Sequence, residues 1–413
     1  MSKSLLINPS ALEAGLEAAF AARSKTSEPQ AAAFQRFSKL GFPNRRVEGW
    51  KWSDFNAALR KPQEKGKKPA AGEIPLSPFA ALHPVEIRIV DGQYQLPEGA
   101  RPEGLRFRLI DPSGTIPEFE RHPMAMLNVA MTGKALGMQV VEGAVLNRPI
   151  LIRHINTGAG FTFAQTLLRV SKNAWAQLIE TYEGGGAGFY SHLFHTVVRD
   201  GGRLDRLVLQ DTGGDAVVHG ICAAKIDCAS RFDQTALSTG ARLARHETHA
   251  HFWCEQSSAR LNSAALVSGG RHSDFTSDVI FKAEACETRQ LHKGVAKDRG
   301  RNVFQGKFHV ERGGQKTDAR MAANALLLSD DAEANHKPEL EIYADDVECA
   351  HGSTSGALDE DALFYLRQRG LDEASARTLL VEAFVGEVID GIGDEAARYI
   401  FRARVNDWLR NEA

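Results

Sequence analysis

The chain has 413 residues, 43% of them hydrophobic and 25% charged, and its 50 basic and 52 acidic side chains leave a formal net charge of −2. That balance gives no electrostatic footprint for a nucleic acid or an anionic membrane surface. No run approaches the roughly 18 apolar residues of a membrane helix, and Met1 to Pro9 lacks the pattern of a secretory signal.

The length exceeds what one hydrophobic core usually serves, so more than one structural unit is expected. The five cysteines, Cys222, Cys228, Cys254, Cys286 and Cys349, are odd in number and widely spaced, with no CxxC. Free thiols in a reducing cytoplasm fit this better than a disulfide framework or a structural zinc site.

Residues 1–60 read as helical. Leu12, Leu16, Ala19 and Phe20 form one apolar stripe, and a second helix starts at Ser27 with Gln30 in capping-box position. Its face is Phe34, Phe37 and Leu40, and Gly41 with Pro43 ends it. Trp50, Trp52 and Phe55 follow within six residues, as a small satellite core or a docking surface. Residues 61–83 are the linker candidate, led by the solvated run Lys61 to Pro69.

From 84 to 356 the texture is β. Short segments such as Val85 to Val90, Gln139 to Val145, Ile150 to Ile155, Phe161 to Val170 and Ala174 to Tyr182 are separated by corners. Glycine corners at Gly184 to Gly186, Gly213-Gly214, Gly240, Gly269-Gly270 and Gly300 recur about every 30 residues, the repeat expected of a stacked solenoid. Other all-β folds remain open on this texture alone. Residues 357–413 turn helical: Asp359 and Asp372 are N-cap candidates and Gly370 supplies a left-handed stop. Ala376, Leu379, Leu380, Ala383, Phe384 and Val388 mark one face, and Ala397, Phe401, Val405 and Trp408 the last stripe.

No phosphate-binding loop is present, and Gly184 to Gly188 reads as a β-corner. His246-Glu247-Thr248-His249-Ala250-His251 is dense in ligand types; on a strand, His249 and His251 share a face and His246 takes the other. Half-buried structural histidines are the more ordinary explanation. Cys349 and His351 are two apart, so a strand aims both to one side, a thiol and an imidazole suited to a borderline metal or to a thiolate pair. Two ligands are half of a mononuclear site, which a second subunit could complete.

The stretch ADDVECAHGSTSGALDEDALFYLRQRG, residues 344–370, resembles the signature of the SufB/SufD family of iron–sulfur cluster assembly proteins. NRRVEGWKWSDF at 44–55 and ARTLLVEAF at 376–384 are similar to further family blocks. Cys349-Ala350-His351-Gly352 resembles the SufD-type branch, and Asn324 to Asp330 lacks the late cysteine of SufB-type chains. The resemblance implies a right-handed parallel β-helix core flanked by N- and C-terminal helical regions, and a non-catalytic cytoplasmic scaffold. It implies pairing with a SufB-like subunit, or with a second copy in isolation, and binding of a SufC-like ATPase through the C-terminal helices. For the latter contact the candidates are Leu363, Phe364, Leu366, Leu379, Leu380 and Phe384. It places His351 as an iron ligand, with Cys349 beside it, where a transient iron–sulfur cluster forms; the isolated chain is expected to hold no cofactor stably. The rival readings are a cysteine–histidine hydrolase and a β-helix protein acting on carbohydrate.

Overall fold

The structure, a computed structural model, describes residues 10–60, 74–98, 102–112, 119, 121–158 and 160–412. The lysine-rich run at 61–69 lies outside the described residues.

Among the described residues nineteen strands form two sheets. The first sheet runs Val347–Gly356, Thr317–Leu327, Glu287–Ala296, Ser258–Val267, Arg231–Ser238, Arg203–Thr212, Trp175–Gly184, Ile150–Ile155, Val85–Val90 and Gln93–Gln95. The second runs Glu333–Ile342, Arg301–Val310, His272–Phe281, Leu243–Phe252, Val217–Ile226, Phe189–Val198, Phe161–Val170, Ala135–Val140 and Leu105–Ile110. From Ile150 onward successive strands alternate between the sheets, and neighbours within each sheet are parallel. Phe189 lies opposite Val217, Val217 opposite Leu243 and Arg301 opposite Glu333, so coils take 28, 26 and 32 residues. This is a flattened parallel β-helix.

Its two ends differ. At the first the outermost strands are short and antiparallel: Gln93–Gln95 on Val85–Val90, and Leu105–Ile110 on Ala135–Val140. At the other end Glu333–Ile342 and Val347–Gly356 are the outermost strands of their sheets.

Most central strands are buried on both faces, Ile150–Ile155 at every position. One face fills the solenoid interior, as Leu178, Leu204, Val218 and Phe308 do. The other face supports helices. Such strands read as continuous apolar runs instead of alternating ones. Interior corners stack too: Asn173, Gly201, Ala229, Gln256, Ala285 and Lys316 all adopt positive φ. Each hands its N–H to the next coil, Asn173 to Asp200 O at 3.0 Å, Gly201 to Cys228 O at 2.9 Å and Ala229 to Glu255 O at 3.0 Å.

The helical regions lie along the flanks of the solenoid. Helices α1 (Ala11–Ala21), α2 (Glu28–Leu40), α3 (Phe55–Arg60) and α4 (Pro123–Met131) cover the outer face of the second sheet. Leu16, Phe34, Phe37, Trp50 and Phe55 pack there against Phe189, Leu193, Val217 and Ile221. Trp50 and Phe55 therefore belong to a satellite core. Ser27 and Gln30 form the expected capping box; Ser10 and Glu13 form a second one that the sequence reading passed over, as it did α4. Ala19 is exposed because α1 packs through Leu16, with Leu12 and Phe20 beside it, and Leu40 because the packed face of α2 runs through Ala33, Phe34 and Phe37.

Helices α5 (Glu360–Gln368), α6 (Glu373–Ile389) and α7 (Glu395–Glu412) follow the last strand. Asp359 accepts from the amides of Asp361 and Ala362, and Asp372 from that of Ser375. Val381, Val385, Val388, Ile389, Phe401 and Val405 bury against Leu207, Leu209, Leu237 and Leu266 on the outer face of the first sheet. The α6 stripe is rotated from the expected one: Leu379 and Ala383 face solvent, and Val381 and Val385 face the sheet.

Cys228 and Cys254 are joined by a disulfide, so free thiols hold only for Cys222, Cys286 and Cys349. The spacing misled because a sequence separation of 26 is about one coil, which brings distant corners to a Cα–Cα distance of 4.5 Å.

Candidate functional site at the open end of the solenoid

Val347–Gly356 pairs with Thr317–Leu327 on one side only, Cys349 opposite Ala319 and His351 opposite Met321. Ala319, Met321 and Ala323 point into the solenoid core, so Cys349, His351 and Ser353 carry the same inward row one coil further. No described strand follows that coil. The row meets solvent: His351 and Ser353 are exposed, and Cys349 is half-buried against the core's edge. Strand alternation thus places the Cys349 thiol and the His351 imidazole on one side, as their spacing required.

Across the mouth, Glu333–Ile342 supplies the facing wall. His336 lies opposite Phe304, an interior residue, and shares that inward row with Leu340. His336 Nδ1 is 2.9 Å from Ser353 Oγ, joining the two last strands by side chains. Its ring meets those of Phe304 and His292 edge-on, and burial pushes its pKa down to about 4. The sequence reading missed His336 and Ser353. The inward alternation of Ala334, His336 and Leu340 was the available signal, but Pro338 inside the run obscured the strand. Pro338 is tolerated because its strand is an edge.

Burial raises the pKa of Cys349, with a backbone hydrogen bond from Ala319 opposing it and the Asp318 carboxylate adding to the rise. The thiol therefore carries no activation of the kind a nucleophile needs. Among the described residues, groups of three ligand-type side chains with converging atoms are His122/Glu247/His249 and His154/Glu180/His192, and neither includes Cys349 or His351. The open end offers donors suited to iron, one sulfur and one borderline nitrogen, but an incomplete shell.

Hydrogen bonds already occupy the carboxylates of both groups, while His249 Nε2 and His154 Nε2 are buried without a hydrogen-bond partner. His122 caps α4, its Nδ1 accepting the Ala125 amide at 3.1 Å, so the ring proton sits on Nε2 and donates to Glu247 at 3.1 Å. A metal would need that Nε2 lone pair. Glu247 is also held by Arg245 at 3.1 Å and His219 at 2.6 Å. In the interior, Glu180 already receives two N–H groups from Arg206 at 2.9 and 3.0 Å. As the spacing required, His249 points outward, towards Glu247 and Phe119, while His246 points inward to Tyr182 and Phe275.

Helix α5 begins four residues after the last strand, and the C-terminal helices keep several large apolar side chains exposed. Phe364 is 64% and Leu379 45% exposed, and Tyr365, Leu371 and Tyr399 are exposed as well. Leu363 is buried, and Leu380 and Phe384 pack towards the sheet; Phe384 lies under the Lys293 ammonium at 4.5 Å. Leu366 is intermediate.

The architecture is a β-solenoid clad in helices on both flanks, with short antiparallel strands at one end and two long parallel edge strands at the other. Residues 153–384 match the family model described as SUF system FeS cluster assembly, SufBD core domain, more than half the chain, and the chain belongs to that family. It is 29% identical over 407 residues to the iron–sulfur cluster assembly protein SufD of Escherichia coli (strain K12), covering 94% of this chain and 95% of that protein. A SufBD family protein of Synechocystis is 37% identical over 163 residues, 40% of this chain and 36% of that one. The chloroplastic protein ABCI7 of Arabidopsis thaliana is 30% identical over 282 residues, 65% of this chain and 59% of that one. Membership gives the chain a SufBD-type scaffold function in iron–sulfur cluster assembly. Among the described residues no helix is long and apolar enough to cross a membrane.

Proposed function

We propose that this chain is the SufD-type subunit of a SufBCD-type complex, pairing through the open solenoid end with a SufB-like chain and binding a SufC-like ATPase through α5 and α6. The observation that carries the reading is the uncapped final coil, two ten-residue edge strands with Cys349, His351 and Ser353 on its inward row. Long open edges carry unpaired backbone N–H and C=O groups and call for a covering partner. A partner solenoid meeting that end would bring further donors to His351 and Cys349, completing a shell that neither chain holds alone. The growing cluster is the cargo of such a site, and His351 is its ligand from this side. In isolation the same edges would pair with a second copy. The raised thiol pKa of Cys349 and the missing phosphate loop support a subunit that hydrolyses neither esters nor ATP by itself.

Co-expression with SufB-like and SufC-like chains, followed by native mass measurement, tests the reading. The expected product contains all three chains. Recovery of this chain alone, while the other two assemble, would refute it.

A further inference from the structure

We propose that Cys228 and Cys254 form a reversible dithiol–disulfide pair, a redox-modifiable staple between adjacent coils. The two residues occupy successive corners, Cys228 in the turn between Val217–Ile226 and Arg231–Ser238 and Cys254 between Leu243–Phe252 and Ser258–Val267. Both are half-buried, so a small thiol or disulfide can reach them from solvent.

The corner keeps its shape without the bond. Trp253 N–H donates to Ile226 O at 3.0 Å, Ala229 N–H to Glu255 O at 3.0 Å and Ser257 O–H to Asp227 O at 2.5 Å. Opening the disulfide therefore leaves the two sulfurs adjacent and poised to close again.

The two buried thiols are kept out of the exchange. Cys286, in the next corner, is buried and its S–H faces the carbonyls of Cys254 and Glu284 at 3.4 and 3.5 Å, with burial pushing its pKa up. Cys222 lies in the solenoid core, its pKa pushed up by burial to about 11. Trp253, 43% exposed and next to Cys254, carries the Lys282 and Lys225 ammonium groups at 3.8 and 4.8 Å from its ring and is placed to report the state of the bond.

The chemistry is thiol–disulfide exchange with a low-molecular-weight disulfide. One cysteine thiolate attacks it, giving a mixed disulfide and releasing one small thiol; the second cysteine displaces the other. Each cysteine loses one electron and one proton, and the oxidant leaves as two thiols.

The full-length chain, equilibrated in mixtures of reduced and oxidised glutathione, acid-quenched, alkylated and mapped by peptide mass, tests this. The expected result is one two-electron transition, with the linked Cys228–Cys254 peptide at the oxidising end and both cysteines alkylated at the reducing end. Tryptophan fluorescence should fall on oxidation and the change should vanish in Trp253→Phe. The oxidised form should melt a few degrees higher. Cys286→Ser should leave the transition in place, and Cys228→Ser should abolish it while melting like the reduced parent. Three results would each overturn the proposal: alkylation of both thiols at every ratio, glutathione adducts without a linked peptide, or a linked peptide that persists at the most reducing ratio.

Discussion

Inside the solenoid Glu180 and Arg206 are both buried and form a two-pronged ion pair. Burial alone would raise the Glu180 carboxyl, but the Arg206 guanidinium and His192 hold it well below the usual carboxylate range. Glu180→Gln keeps the shape and strands the cation, which should destabilise the chain by about 3–5 kcal/mol in chemical denaturation. A loss under 1 kcal/mol would show that Arg206 finds other compensation, Gln234 being its remaining partner at 2.5 Å. The buried histidines, with the half-buried His336, set the acid limit. Burial lowers His219, His272 and His336 to about 4, and His246 and His292 to about 3. The unfolded chain protonates these rings near pH ~6.5, so it binds more protons than the folded chain below that value. Stability is full above about pH 6.5 and falls as the pH drops towards 4. Melting temperature measured from pH 7.5 downward should decline steadily from about pH 6.5, and unfolding should precede pH 4; a flat profile to pH 5 would contradict it.

At the scale of elements, one column of corners was legible and the other was not. The glycine positions at 184–186, 213–214, 240, 269–270 and 300 mark the turns that lead into the second sheet, and Gly184 shows why: with φ +105°, a Cβ there would lie 2.1 Å from Asn156 O. The opposite column solves the same left-handed problem with Asn173, Ala229, Gln256, Ala285 and Lys316, which no pattern of glycine announces. Helices α2, α5 and α6 were legible from their caps, and α1 and α7 from their apolar stripes. Their docking on the sheet flank was not, since it depends on outward residues such as Leu207, Leu237 and Leu266 in strands buried on both faces. For the site, the Cys349–His351 spacing was readable, whereas His336 depends on which strand closes the last coil. This packing decides how partner binding must be tested. Removing residues 357–412 would bare the apolar flank of the first sheet, so that truncation should aggregate; a soluble, monodisperse truncation would contradict the packing account. Phe364→Glu and Leu379→Glu change exposed positions and should cost within about 0.5 kcal/mol of stability. Each should nevertheless sharply reduce co-purification of the SufC-like ATPase, and unchanged recovery would remove α5 and α6 from the contact.

For the whole molecule, the solenoid is one continuous stack of coils. Coil-to-coil hydrogen bonds fix the last coil relative to the first, and the flanking helices brace both sheets. The N-terminal segment reaches the far end as well: Glu48 pairs with Lys337 on the final coil at 2.7 Å, and Gly49 O accepts from Gln305 at 3.2 Å. The open mouth is thus held from both ends of the chain. In the proposed complex the mouth is half of a shared cluster site, and His351 is the residue on which this chain's contribution turns. His351 is exposed, so His351→Ala should leave folding within about 0.5 kcal/mol of the parent. Cys349→Ala, at the half-buried neighbour, serves as the comparison and should have the weaker effect on loading. The decisive measurement is iron and acid-labile sulfide bound after reconstitution of the three-chain complex, at matched stoichiometry and melting temperature. The account predicts that the His351→Ala complex loads far less of both than the parent; loading as fast and as full as the parent would contradict it.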